Sequence, residues 1–369
     1  MKRKDIISLC ALAILIMAGC SKVEHNPSPS PRPSEGDEWL YDVNLPVPIL
    51  FGSGEVVSKS PITSVEDLAD KTFGIFAVDK NAEMWTVTDG TVYLNNEGAH
   101  YNLETGSMVF GGTPGKQITL YYPSISDVNL DFYAYHPKSA ATDVSDHMIT
   151  TKVRFGSDDI LWAPASARDI YRNGKLFRGY NAEYIRQFPG AEYRPNFKFT
   201  HPASVIRFRI TKTESAGNMH ISSSTLTLKD MAKTADLCVA SMRAAQVQSG
   251  TIIDDGSQRD DITFNAATDL TNEKAILCHA FIMPEASRKI VEGIIVLNGE
   301  TKSFTIDLDE LGAVVEGFQP GYAYNILLTV DEQLNVTVTA DVNRPPQTDY
   351  DVYGDVGSED FEDGFNIEV

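Results

Sequence analysis

Between residues 45 and 342 the apolar positions fall in short runs of period two, broken by Gly, Asn, Asp and Pro. Ile206-Arg207-Phe208-Arg209-Ile210 and Val336-Thr337-Val338-Thr339-Ala340 each put apolar side chains on one face and polar ones on the other. That is the pattern of a strand with one face in a core. Two pairs of runs flank hairpin signals. Asn298-Gly299 separates 294–297 from 301–306, and Asp89-Gly90 separates 86–88 from 91–93; both dipeptides accept the positive φ angles of a type I′ turn. A strand is also predicted at 47–51 and another at 117–121. Helix is predicted only as a turn or two after Ser64, with Asp67 as capping partner, and again around 309–314. Many short strands with frequent turns predict an all-β chain built of β-sandwiches.

The alternation breaks at 188–196, where Pro189, Gly190 and Pro195 stand among polar residues, and resumes at Phe197. This predicts tandem β-sandwich domains over 40–192 and 193–345. Past them, residues 346–369 form an acidic arm: 349–368 holds eight acidic side chains and no basic one. The arm ends with Phe365, Ile367 and Val369 alternating with Asn366 and Glu368, a candidate strand at the tip of an extended segment; a solvated tail is the alternative.

The amino terminus carries a different pattern. Lys2, Arg3 and Lys4 precede an apolar run from Ile6 to Met17, the layout of a secretory signal. The run is shorter than the roughly 20 residues of a membrane span. It ends Met17-Ala18-Gly19-Cys20, which resembles a bacterial lipobox. The expectation is a signal peptide over 1–19 and lipidation (palmitate) of Cys20; an ordinary signal with an incidental cysteine is the alternative. Residues 20–39 then make a Pro/Ser-rich tether, since alternating prolines favour an extended chain. A lipid-anchored outer-membrane protein at the cell surface follows, each buried methylene contributing about 0.8 kcal/mol.

Lys and Arg number 31 against 51 Asp and Glu, a formal net charge of −20. No basic cluster interrupts the acidic balance, so nucleic acid is excluded as a partner, because phosphate binding needs Lys and Arg on one face. Beyond the leader and the lipidation candidate Cys20, the cysteines are Cys238 and Cys278. They could form one disulfide in an oxidising compartment or remain buried free thiols, and neither has CxxC spacing.

No catalytic constellation emerges. There is no GxSxG elbow, no HExxH and no phosphate loop; Gly111-Gly112-Thr113-Pro114-Gly115 lacks the lysine and reads as a turn. The acidic stretch 254–261 departs from the spacing of a calcium loop and reads as a solvated turn. His201 and His279 read as core or edge histidines. No enzyme activity, metal or cofactor is expected.

Several segments resemble the fimbrillin family, the Mfa-like and FimA-like subunits of type V pili. Residues 68–78 (LADKTFGIFAV) are similar to the family's strand entering "FGVFA". Tyr121-Tyr122-Pro123 followed by 130–137 (LDFYAYHP) resembles its tyrosine-rich signature, and 158–163 (DDILWA) its "DLLYA" element. Residues 197–208 (FKFTHPASVIRF) and 318–325 (FQPGYAYN) resemble the "LxFxHxxSKVxF" and closing "F.PGxxYxY" strands. The resemblance implies two transthyretin-like β-sandwich domains, a role in surface fimbriae and cell adhesion, other fimbrial subunits as partners, and host or bacterial surface ligands.

In that family an Arg-specific protease removes the first strand, and a neighbour's C-terminal segment fills the groove by donor-strand exchange. Phe365, Ile367 and Val369 are the candidate donor here. Arg32 and Lys59 are the candidate processing positions, but no arginine lies between Arg32 and Arg154, and Pro33 follows Arg32. An anchor or accessory subunit that keeps its first strand suits this departure. The competing reading is a surface glycan-binding lipoprotein using the tyrosines at 121–135.

Overall fold

A computed structural model describes residues 37–343 except 54, 57–65, 114, 125–127, 146, 173, 243–244, 246, 258, 286–289 and 312–316, together with the strand at 365–367. The N-terminal strands are β1 (Glu55–Val56), β2 (Thr72–Asp79), β3 (Val92–Asn102), β4 (Ser107–Phe110), β5 (Leu130–His136), β6 (Thr142–Ser145), β7 (Met148–Arg154), β8 (Leu161–Ala165), β9 (Ile170–Arg172) and β10 (Lys175–Phe177). Helix α1 (Ala182–Gln187) precedes β11 (Lys198–Phe199), β12 (Ser204–Lys212), β13 (Met219–Ala232), β14 (Thr234–Ser241) and β15 (Ile252–Ile253). The remainder are β16 (Arg259–Leu270), β17 (Ala275–Ile282), β18 (Ile290–Leu297), β19 (Glu300–Asp307), β20 (Ala323–Val330), β21 (Val336–Asn343) and β22 (Phe365–Ile367).

The chain is thus an all-β sandwich fold, and alternation decides which core each side chain enters. Sheet β4-β3-β2-β5-β8 is buried on both faces. Phe73, Ile75 and Ala77 of β2 enter one core with Phe132 of β5 and Tyr184 of α1. Phe76 and Val78 enter a second, against Ile149 of β7 and Leu237 and Val239 of β14. Burial on both faces is why this stretch reads as a continuous apolar run instead of an alternating one. A third core lies between sheets β17-β12-β20-β21-β22 and β16-β13-β18-β19, where Phe208, Leu226, Ile295, Ile326 and Val338 meet.

Strand pairing crosses the break expected at 188–196. β14 pairs antiparallel with β7, Ala235 opposite Val153, in the sheet β15-β14-β7-β6. Only Lys233 separates β14 from β13 in another sheet. Residues C-terminal to the break therefore complete a sheet begun before it.

Local expectations fare unevenly. The Asn298-Gly299 hairpin forms with φ of 49° and 89° and joins β18 to β19. At Asp89-Gly90 a turn forms, but 86–88 are not a strand. The Thr91 hydroxyl accepts the Thr86 N–H at 2.7 Å and donates to the Thr86 carbonyl at 3.1 Å, so these polar groups of Thr86 are satisfied locally. Residues 47–51 are extended but, among the described residues, form a single isolated bridge, Pro48 with Tyr121. Pro46 and Pro48 remove two amide donors from this segment, which keeps a continuous ladder from forming. Short 3-10 turns occur at Glu66–Leu68 and Leu308–Glu310, near the predicted helical turns.

Candidate functional site

The first extended segment fills a groove mainly through its side chains. Val47, Ile49 and Phe51 are buried, while Leu50 between them is 37% exposed. Phe51 stands 5.0 Å from Phe110 and 5.2 Å from Phe197, ring centroid to centroid, and meets Phe132 edge-on at 6.0 Å. Backbone bonds are few. The Ile49 N–H donates to Leu120 O at 2.8 Å, the Tyr122 N–H to Val47 O at 2.9 Å, and the Gly52 N–H to Pro195 O at 2.8 Å. Withdrawing this segment would expose an apolar groove at modest cost in ladder bonds. β1 continues the segment, pairing parallel with β11.

Helix α1, unforeseen from the sequence, ties down the approach to that segment. The Asn181 side chain caps it by accepting the Tyr184 N–H at 2.8 Å. Arg186 in its last turn then donates to the carbonyls of Trp39, Val43 and Leu45 at 3.1, 3.3 and 2.6 Å. The signal was present: Asn181 precedes Glu183 in the first turn and Arg186 in the last, the order that complements the helix dipole.

At the other end of the chain, the backbone of β22 pairs antiparallel with β21: Ala340 lies opposite Phe365, Thr339 opposite Asn366 and Val338 opposite Ile367. The sequence placed this strand at the tip of an extended acidic segment. The tip lies on the chain's own edge strand, whose outer N–H and C=O groups otherwise lack a ladder partner.

Of the residues singled out from the sequence, Cys20, Arg32, Lys59 and Val369 lie outside the described residues, as do the leader, most of the tether and most of the acidic arm. The disulfide weighed for Cys238 and Cys278 is not formed; both thiols are free. Cys238 lies in β14 opposite Thr150, whereas Cys278 lies in β17 opposite Phe208 in a different sheet. Burial pushes their pKa values up to about 11 and about 12, so neither supplies a thiolate near neutral pH.

The acidic stretch at 254–261 is occupied by protein partners. The side chain of Asp255, 6% exposed, pairs with Lys152 at 3.0 Å and accepts from Thr234 at 3.0 Å. Its burial acts to raise its pKa, and the bonds from Lys152, Ser257 and Thr234 together outweigh that, leaving it well below the usual carboxylate range. His201 is buried with its Nε2 3.0 Å from Asp159 Oδ2. Of the tyrosines at 121–135, Tyr122 and Tyr135 are buried and pack into cores, Tyr133 is half-buried, and Tyr121 is 42% exposed. Among the described residues, no three His, Cys, Asp or Glu side chains are grouped to hold a metal, and no helix is long and apolar enough to cross a membrane.

The sequence profile of the fimbrillin-like family matches residues 65–344. Among solved structures, a candidate cell adhesion protein from Bacteroides uniformis is 18% identical, with 82% of this chain and 99% of that one covered at a TM-score of 0.49. A fimbrial protein from Bacteroides vulgatus is 13% identical over 80% of this chain and 98% of that one, TM-score 0.44. The fimbrial anchor protein Mfa2 from Porphyromonas gingivalis is 10% identical over 81% and 98%, TM-score 0.33. A comparison with curated proteins returned no match.

Proposed function

The chain belongs to the fimbrillin-like family, and from that premise we propose that it is a subunit of a surface fimbria, serving as an anchor or accessory protein that joins other subunits by β-strand exchange and contributes to cell adhesion. Its part is structural rather than catalytic. The observation that carries the strand-exchange step is the first segment: Val47, Ile49 and Phe51 alternate into an aromatic groove while the backbone makes few ladder bonds. Such a segment is strand-like in its side chains and replaceable in its backbone. This subunit keeps it, since Arg32 precedes it with Pro33 following and the next arginine is Arg154.

The exchangeable element is then the other end. The pairing of Phe365–Ile367 with β21 spans three residues, so transfer to a neighbour's groove would forfeit little and gain a longer ladder. In this reading Cys20 holds the subunit in the outer membrane through acyl chains, and the tether lifts the sandwiches away from the lipid. The chain is divided into units over 40–192 and 193–345, with β14 and β15 reaching back from the second to complete the first.

The anchoring half is tested by Cys20→Ala. Acylation should be blocked and the protein displaced from outer-membrane fractions, because the remaining chain would lack the lipid. Persistence in membranes after a carbonate wash would contradict the lipid anchor.

A further inference from the structure

A cleft of about 510 Å3 opens where the approach to β2, the end of β5, the β7–β8 connection and β17 converge. Its volume is in the range of small-molecule sites, roughly 300 to 1,000 Å3. Two amines line it, Lys71 and Lys138, together with the carboxylates Asp70 and Asp158. None of these four forms an ion pair among the described residues. By contrast, Lys152 pairs with Asp236 and Asp255, and Lys229 with Asp261. Groups of both signs are therefore left available around one concavity.

The wall between them is fixed. His136 is buried, and its Nδ1 lies 2.9 Å from the Thr72 carbonyl, which can only accept. Burial lowers the ring's affinity for a proton, with the Thr72 bond opposing and Lys71 adding to the effect. A neutral ring donating from Nδ1 presents Nε2 as an acceptor. Asp159 is held by His201, and that ring lies parallel to Phe281 within 8° at 6.4 Å. Phe281 and Pro137 supply the apolar lining, too little for a lipid or an apolar ligand.

Each simple ligand class leaves something unmatched. Inorganic phosphate would satisfy the amines but bring no hydroxyl array for Asp70, Asp158 and His136. A neutral sugar would satisfy those acceptors and leave the amines without an anion. A sugar ring carrying a carboxylate satisfies both sets. We propose that this cleft binds a carboxylated sugar residue, of the uronic or sialic acid type, at the end of a glycan chain. The proposal does not depend on strand exchange, because every lining residue belongs to one copy of the chain.

The test is saturation-transfer NMR on the purified, unassembled full chain, with D-glucuronate and N-acetylneuraminate as probes and glucose and inorganic phosphate as comparators. At least one acid should bind saturably, more tightly than glucose. Lys71→Ala and Lys138→Ala should each weaken it about tenfold, as expected for losing a hydrogen bond to a charged group, while the thermal midpoint stays unchanged. The proposal is overturned if neither acid saturates, if glucose binds as tightly, if phosphate displaces the acid at equal concentration, or if the double variant binds like the wild type.

Discussion

The ring of Phe51 lies 5.2 Å from that of Phe197, so a residue of the first extended segment packs directly on one that opens the strand pattern past the 188–196 break. Phe110 closes the other side at 5.0 Å. The aromatic contact spans nearly 150 positions of sequence and holds the first segment where its backbone bonds are too few to do so.

Phe51→Ala should therefore destabilise the chain by about 3 to 5 kcal/mol, the usual loss for truncating a buried phenylalanine. Leu50→Asp, on the exposed side of the same segment, should change stability by less than about 0.5 kcal/mol. Urea unfolding of both variants checks the pair; similar losses would mean that the segment does not alternate in and out of the groove.

A second expectation concerns pH. Burial holds His136 below its ordinary value of 6.5, against a partly opposing bond to Thr72. The unfolded chain then binds more protons than the folded one between those two values, so stability falls as pH drops through 6.5. The urea midpoint should be lower at pH 5.5 than at pH 7.5, on the order of one pH unit either side of that value, and His136→Gln should reduce the difference. A midpoint that rises on acidification would contradict the assignment. Asp255 acts in a separate window. Its carboxyl is held low, so its contribution is complete above the ordinary 3.8 and is lost only below it.

Because Lys152, Ser257 and Thr234 already occupy Asp255, added calcium should leave the thermal midpoint unchanged, whereas a bound ion would raise it with concentration. Asp255→Ala should cost about 1 kcal/mol, as for losing hydrogen bonds whose other partner stays solvated, because Lys152 is half-exposed and keeps Asp236. A calcium-dependent rise would instead make the 254–261 turn an ion site.

Cys238 and Cys278 should both take up an alkylating label when the chain is denatured without reductant, seen as two added masses on the peptides that carry them. Unlabelled cysteines that become reactive only after reduction would restore the disulfide.

What was readable in the sequence was whatever a local period or turn residue controls. The Asn298-Gly299 hairpin formed because both residues tolerate positive φ, and the run at 73–78 became the two-faced centre of a sheet. Local side-chain chemistry misled at Thr86, whose N–H donates to the Thr91 hydroxyl and whose carbonyl accepts from the Val92 N–H at the start of β3, closing a turn without a second strand. Helix α1 escaped because its six residues are too few to show a period, leaving only Asn181 and the charges at its ends. The pairing of β14 with β7 and the cleft at Lys71, His136 and Asp158 join segments far apart in sequence, and no window of the chain contains their relation.

Strand exchange through the C-terminal tip can be read from assembly itself. Deleting residues 364–369, or changing Phe365 and Ile367 to Asp, removes a three-residue pairing with β21 and should leave the monomer's thermal midpoint almost unchanged. The measurement is the ladder of SDS-resistant oligomers from surface fimbriae, compared between wild type and truncated chain. The truncated protein should drop out of the ladder and remain monomeric; a truncated protein that enters it as efficiently as the wild type would contradict donor exchange through this strand.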